Sequence, residues 1–335
     1  MRIIIPMAGM GKRMRPHSLF IPKPLIPVAG KPIVQHLVKD IVKICREDVE
    51  EIAFVIGHFG EAVEKQLIGI AESVGAKGSI FYQEEALGTA HAILCAKEAL
   101  KGHVVVAFAD TLFKADFTLD TNQDGIIWVQ KVEDPRPFGV VKINEQGYIT
   151  DFVEKPETFV SDLAIIGIYY FKDGENLRNE LQYLIDNNIL DKGEFQITNA
   201  LENMKEKGVK IKPGEVTEWL DCGNYQVTIN TNQRYLTYLE ERGEKLQSDK
   251  AKVKNSVIIP PVLIDDDAEI ENSVVGPYVS IGKGTKIKNS RLSNTIIQKD
   301  SSIVDGHIAD SMIGNNVEFK GDSRSLSLGD FTRLE

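Results

Sequence analysis

The sequence predicts an α/β domain built on a mostly parallel sheet, followed by a short parallel β-helix. Three observations carry this. Apolar strand-like runs alternate with helical patterns over the first hundred or so residues. Strand-like segments then cluster between Ile126 and Phe171. Beyond Val253, isolated aliphatics recur every five or six residues, at Ile264, Ile270, Val275, Ile281, Ile287, Leu292, Ile297, Ile303, Ile308 and Ile313. Alternation of strands and helices is the pattern of crossover units on a parallel sheet. A five-to-six-residue period is far below any helical repeat. It fits coils in which each aliphatic points inward and Gly, Asn, Asp and Ser turn the corners.

Taken in order, Arg2 to Pro6 reads as a strand that stops at the glycine-bearing segment Ala8-Gly9-Met10-Gly11-Lys12-Arg13. Pro32 opens a helix with Ile33, Leu37, Ile41 and Ile44 on one face. Strands are expected at 52–56, 80–83 and 104–109, with helices at 61–74 and 89–100. The runs 126–132, 140–143, 149–153 and 165–171 read as added strands covering one side of the domain. Helices are expected at 175–188 and 197–207, a strand at 216–220, and a polar helix at 225–242 bridging out of the first domain. The expected domains are 1–245 and 250–335. About four coils leave open ends, which favours a homo-oligomer formed through the β-helix.

At 335 residues, two domains are the natural expectation. A 42% hydrophobic, 26% charged composition is that of a soluble globular protein, and no apolar run approaches membrane-spanning length. Cys45, Cys95 and Cys222 form no CxxC pair and suit a reducing cytoplasm. A net charge of −10 argues against a nucleic-acid partner. Its distribution is uneven: Arg2, Lys12, Arg13, Arg15, Lys23, Lys31 and Lys39 precede the first acid, Asp40. Such asymmetry focuses anions, although a solvated basic face would look the same.

Four constellations bear on chemistry. Gly9, Gly11 and Arg13 follow a strand, where glycines let backbone amides approach phosphate and an arginine offers forked donors. Met14 stands where a dinucleotide fingerprint needs its third glycine, and no Gly-Lys-Ser/Thr ending makes it a P-loop. Gln83 precedes Leu87-Gly88-Thr89-Ala90. A side-chain amide there both donates and accepts, as a pyrimidine edge requires, while a strand–turn–helix junction would also use a surface Gln. Asp110 and Asp221 each end an apolar strand, the position that faces the crevice of an open α/β sheet. Two carboxylates with substrate phosphates suit Mg²⁺, although either aspartate alone could cap a helix. The last group is Phe138-Gly139-Val140-Val141, Glu154-Lys155-Pro156 and Ile165-Ile166-Gly167-Ile168-Tyr169.

The runs Met7–Pro16, Lys23-Pro24-Leu25-Ile26-Pro27-Val28 and Gly30-Lys31-Pro32-Ile33, with the later segments in the same order to about residue 240, resemble the sugar-1-phosphate nucleotidyltransferase family. The pattern is nearest its thymidylyltransferase branch. Ala8 replaces the first of the family's two adjacent glycines, Thr111 a frequent Asn, and Cys222 a frequent Thr. The resemblance implies a Rossmann-like mixed sheet of the nucleotide-diphospho-sugar transferase type and a left-handed β-helix. It implies that Ala8, Gly9, Gly11, Lys12 and Arg13 hold a triphosphate, that Lys23 stabilises the reacting phosphates, and that Gln83 and Gly88 read the base. Asp110 and Asp221 would hold Mg²⁺. Gly139, Glu154, Lys155, Gly167 and Tyr169 would bind the sugar phosphate, with Lys155 on its phosphate. Glu194-Phe195-Gln196-Ile197-Thr198 also matches a family stretch near the site, or simply starts a helix. Arg13, Lys23 and Asp110 would be catalytic. The expected reaction joins a nucleoside triphosphate (dTTP or UTP) to glucose-1-phosphate and releases pyrophosphate. UDP-sugar and GDP-mannose synthesis are alternatives within the family. Outside it stand a β-helix acyltransferase, for which His307 is the one histidine in the repeat, and a non-catalytic sugar-nucleotide sensor.

Overall fold

The computed structural model describes residues 1–115 and 117–321; the part of the expected β-helix at 322–335 lies outside the described residues. The chain divides into two compact units, Met1–Ile26 with Pro32–Gly223, and Pro27–Lys31 with Asn224 onward. Among the described residues no helix is long and apolar enough to cross a membrane.

The first unit carries β1 (Arg2–Pro6), α1 (Ile33–Ile44), β4 (Glu51–Ile56), α2 (Glu61–Glu72), β5 (Lys77–Tyr82), α3 (Thr89–Leu94) and β6 (Val104–Ala107), while β2 (Pro27–Val28) falls in the second unit and β3 (Lys31–Pro32) straddles the division. It continues through β7 (Thr111–Lys114), β8 (Gly125–Lys131), β9 (Gly139–Ile143), β10 (Ile149–Glu154), β11 (Leu163–Phe171), α4 (Gly174–Asp186), α5 (Ile197–Glu206), β12 (Ile211–Glu215) and β13 (Glu218–Asp221). Nine strands form one sheet, ordered β10-β9-β11-β6-β1-β4-β5, with β8 on β11 and β12 on β8. Strands β6, β1, β4 and β5 run parallel, and β11 joins β6 antiparallel. Ile3, Ile4, Ile5, Val104 and Val106 are sealed from solvent, as a sheet covered on both faces requires. Helix α1 buries Ile33, Leu37, Ile41 and Ile44, the stripe its spacing predicts, with Pro32 at its N-cap.

The strands from 125 to 171 extend this sheet instead of covering it. The reason is β11: nearly all its nine residues are buried, so it sits centrally, between β6 on one side and β8 and β9 on the other.

The second unit is a parallel β-helix. Lys252, Glu269, Lys286, Ser302 and Glu318 stack in one column, and Val257, Val274, Arg291 and His307 in another. Its core contains Ile264, Ile270, Val275, Ile281, Ile287, Leu292, Ile297 and Ile303. Corner residues Asn272, Asn289, Asp305, Asp267, Asp300 and Asn316 adopt left-handed backbone, which Asn and Asp tolerate better than most side chains. Helix α6 (Tyr225–Glu241), expected as the bridge out of the first domain, groups with this unit. Its buried face mixes Ile229, Tyr235, Leu236 and Leu239 with the polar Thr228, Thr231 and Asn232. Asn232 Oδ1 accepts from Ser280 Oγ at 2.7 Å and from the Ala29 amide at 2.8 Å.

Candidate functional site

Strand β1 ends at Pro6, and the chain turns through Ala8–Gly11 into a 3₁₀ turn at Lys12–Met14. Met14 is buried and anchors the turn, while Lys12 and Arg13 remain exposed. Gly11 has φ +56°, and a Cβ on it would lie 2.9 Å from Lys23 Cβ, so the loop closes tightly only with glycine there. Ser18 Oγ donates to the Gly11 carbonyl at 2.8 Å and holds the return of the loop.

This loop forms one wall of a cavity of about 400 Å³. Ala8, Gly9, Gly11, Lys12, Arg13, Lys23, Gln83, Gly88 and Asp110 all line it, together with Thr89, Phe108, Glu194 and Gly223. The sequence-predicted nucleotide residues are therefore brought to one place. On the far wall, Gln83 follows β5, and its amide N–H bonds the Ile56 carbonyl at 2.9 Å. Gly88 has φ +116°, and a Cβ there would fall 2.4 Å from the Phe195 carbonyl oxygen. Thr89 Oγ1 donates to Gln196 Oε1 and accepts from the Ile197 amide, both at 2.9 Å, tying the start of α3 to the start of α5.

The two aspartates meet because β7 and β13 pair antiparallel, with Thr111 opposite Asp221. The Cys222 amide donates to the Asp110 carbonyl at 3.0 Å. Lys23, almost fully buried, places Nζ 2.8 Å from Asp110 Oδ2. Burial, then the Asp110 charge, push the Asp221 carboxyl above its ordinary pKa, while the Gly223 amide, Lys23 and Arg13 pull it back.

The predicted sugar-side residues form a second group, and none of them is in the cavity lining, nor is Asp221. Glu154 and Lys155 pair at 3.5 Å. A Cβ on Gly139 would stand 3.0 Å from Glu154 Oε2 and 3.5 Å from Thr198 Cγ2. Gly167 lies in the irregular stretch of β11, at φ +81°, and its carbonyl accepts from the Phe108 amide at 2.9 Å. Tyr169 is buried, and burial followed by the Glu154 charge pushes its hydroxyl pKa well up. Phe108 connects the groups: it lines the cavity, and its ring meets Tyr169 edge-on at 6.2 Å.

Two buried polar atoms were given no role by the sequence, although Thr198 lies in the Glu194–Thr198 stretch singled out there. Trp219 Nε1 and Thr198 Oγ1 are buried without a hydrogen-bond partner. Trp219 packs edge-on against Phe138 at 5.1 Å, and Thr198 lies beside Gly139. Unpaired buried polar atoms are costly and tend to mark a place a ligand completes. For Trp219 the advance signal was the run Trp219-Leu220-Asp221, an indole two residues before a carboxylate.

Compared with known proteins, residues 2–237 match the Nucleotidyl transferase family model. The chain belongs to the sugar-1-phosphate nucleotidyltransferase family. Residues 246–318 match a second model, the GlmU-like C-terminal hexapeptide. The bifunctional protein GlmU of Methanococcus maripaludis is 30% identical over 266 residues, covering 77% of this chain and 59% of its own. The chain thus spans about 59% of that relative's length. The low-salt glycan biosynthesis nucleotidyltransferase Agl11 of Haloferax volcanii is 29% identical, covering 77% of this chain and 72% of its own. The catalytic subunit beta of a mannose-1-phosphate guanylyltransferase from Drosophila pseudoobscura pseudoobscura is 30% identical, over 78% and 70%. A crystal structure of UDP-glucose pyrophosphorylase complexed with UDP-glucose shares the fold, with TM-score 0.59 and 23% identity, over 71% of this chain and 98% of that one.

For a nucleotidyltransferase of this family, the arrangement is chemically apt. Backbone amides and exposed cations form one wall, an amide-bearing side chain the opposite one, and a carboxylate pair stands by the buried Lys23.

Proposed function

We propose that the chain transfers a nucleotidyl group from dTTP or UTP to glucose-1-phosphate. A phosphate oxygen of the sugar phosphate attacks the α-phosphorus in line. The bond from that phosphorus to the bridging oxygen breaks, and pyrophosphate leaves. The nucleophile is already an anion, so no general base is needed. The barrier lies in bringing two anions together and stabilising the leaving charge, which makes positioning and electrostatics dominant.

The residues divide the work accordingly. Gly9, Gly11 and Arg13 hold the triphosphate, and Lys23 is shared between Asp110 and the reacting phosphates. Lys155 steadies the nucleophile's phosphate. Glu154 accepts from sugar hydroxyls, and Trp219 Nε1 and Thr198 Oγ1 gain partners there. Asp110 and Asp221 fit Mg²⁺, because the two carboxylates come together at the start of β7 and the end of β13 and the ion takes few protein ligands beside substrate phosphates. Bound there, Mg²⁺ would neutralise phosphate charge. A homo-oligomer formed through the β-helix completes the proposal.

The single observation carrying this reading is the gathering of Gly11, Arg13, Lys23, Gln83, Gly88 and Asp110 around one cavity. The test is pyrophosphate release with Mg²⁺ from a matrix of nucleoside triphosphates against glucose-, mannose- and N-acetylglucosamine-1-phosphate. Release with a thymidine or uridine nucleotide and glucose-1-phosphate is expected. Release confined to GTP and mannose-1-phosphate would move the substrate assignment, and no release with any pair would remove the activity.

A further inference from the structure

The Gln83 side chain does not face the cavity as a free amide. Its Nε2 donates to the Gly88 carbonyl at 3.3 Å and stands 3.1 Å from His91 Nδ1. The Gly88 carbonyl can only accept, so the amide must turn its nitrogen that way. With one proton used on Gly88, the second is directed at His91, which can receive it only through an unprotonated Nδ1. Burial holds the His91 pKa below its ordinary value, opposed by the nearby Glu85 charge and a backbone hydrogen bond with Glu85. The ring is therefore neutral at neutral pH, with its proton on Nε2. Both amide protons of Gln83 are then consumed within the protein. Gln83 Oε1, without a partner among the described residues, is left to meet the ligand.

We infer that His91 is a positioning residue for base selection: by accepting from Gln83 Nε2 it makes Gln83 an obligate hydrogen-bond acceptor, so the site takes bases that offer an N–H at that point. This rests on the nucleotide reading above. Uracil and cytosine carry opposite patterns on the relevant edge: N3–H beside O4 in one, unprotonated N3 beside an N4 amino group in the other. Whichever position Gln83 meets, one of the two is matched and the other sets a lone pair against Oε1. Without His91 the amide is freed to turn, and discrimination fades.

The experiment is titration calorimetry of the full chain with UTP and with CTP. The wild type should separate the two by about tenfold or more, the scale of one hydrogen bond made against one opposed. His91→Leu should bring the ratio near one, while His91→Asn, whose side-chain oxygen can stand where Nδ1 does, should retain most of it. Circular dichroism melting checks that each variant folds. The folded wild type supplies a variant-free reading, since imidazole ¹⁵N shifts should show the Nε2–H tautomer at neutral pH. An Nδ1–H tautomer overturns the inference, as does an unchanged ratio in folded His91→Leu. A wild type that binds neither nucleotide overturns the nucleotide reading itself, whereas selective binding indifferent to His91 overturns this inference alone.

Discussion

The cavity of the first unit and the coil of the second are built on opposite plans. Around the cavity, partners come from far apart in the chain: Lys23 and Asp110 are 87 residues apart, and Thr89 and Gln196 are 107. In the coil, most contacts repeat at a fixed step. The Ser273 amide bonds Ser256 Oγ and the Ser290 amide bonds Ser273 Oγ, each 17 residues on, and the Gly306 amide bonds Ser290 Oγ 16 residues on. The first plan gathers unlike groups and leaves some unsatisfied, as at Trp219 and Thr198. The second satisfies most of its polar groups from coil to coil, Asn294 Oδ1 being an exception. Unmet charge and polarity should therefore carry activity in one region, and repetition should carry stability in the other.

The largest expected effect tests the first half of that contrast. Asp110→Asn or Arg13→Ala should lower kcat on the order of 10²-fold or more, because Arg13 would offset phosphate charge directly and Asp110 would hold the metal that does. Neither should lower the melting temperature appreciably, since the Asp110 side chain is 42% exposed and Arg13 is exposed. A full-rate Asp110→Asn enzyme would remove the metal assignment, as measured by pyrophosphate release. Next comes Ile287→Ala in the coil. Ile287 is 1% exposed, with Ile270 and Ile303 beside it on neighbouring strands. Its truncation should cost about 2–5 kcal/mol in denaturant unfolding.

The same contrast explains what the sequence could disclose. Periodicity found the coil because every rung repeats the one before it. It found β1, α1, β4 and β6 because their buried faces are apolar. Strand β12 stayed hidden because Pro213 and Gly214 lie inside it, which is tolerable only because it is an edge strand, paired to β8 alone. Strand β7 was hidden behind Asp110, read as the end of a strand and not as the start of a hairpin-like pair with β13. Helix α6 looked like a solvated bridge because its buried face interleaves Thr228, Thr231 and Asn232 with Ile229, Tyr235, Leu236 and Leu239, which blurs the apolar stripe. At the site, the cavity-lining residues Ala8, Gly9, Gly11, Lys12, Arg13, Lys23, Gln83 and Gly88 were legible as short motifs. The unpaired atoms of Trp219 and Thr198 and the grip of His91 on Gln83 were not, since an unpaired buried atom or a turned amide exists only once distant segments meet.

Two smaller effects sharpen the comparison within the coil itself. Ser290→Ala removes a hydroxyl that donates to the Lys288 carbonyl at 2.7 Å and accepts from the Gly306 amide at 3.0 Å. The Gly306 N–H would be left buried and unpaired, a cost of about 1–3 kcal/mol by chemical denaturation. Lys252→Gln lies on the same coil but faces water. Lys252 and Glu269 pair at 2.8 Å, yet both side chains are largely exposed. An exposed pair gains little Coulomb energy in water, loses side-chain freedom and is screened by salt. The variant should therefore melt with the wild type at both low and high salt. A clear drop confined to low salt would mean that the alternating Lys and Glu of this face act as a network. The repeat would then stabilise the coil through its surface charges as well as through its buried column.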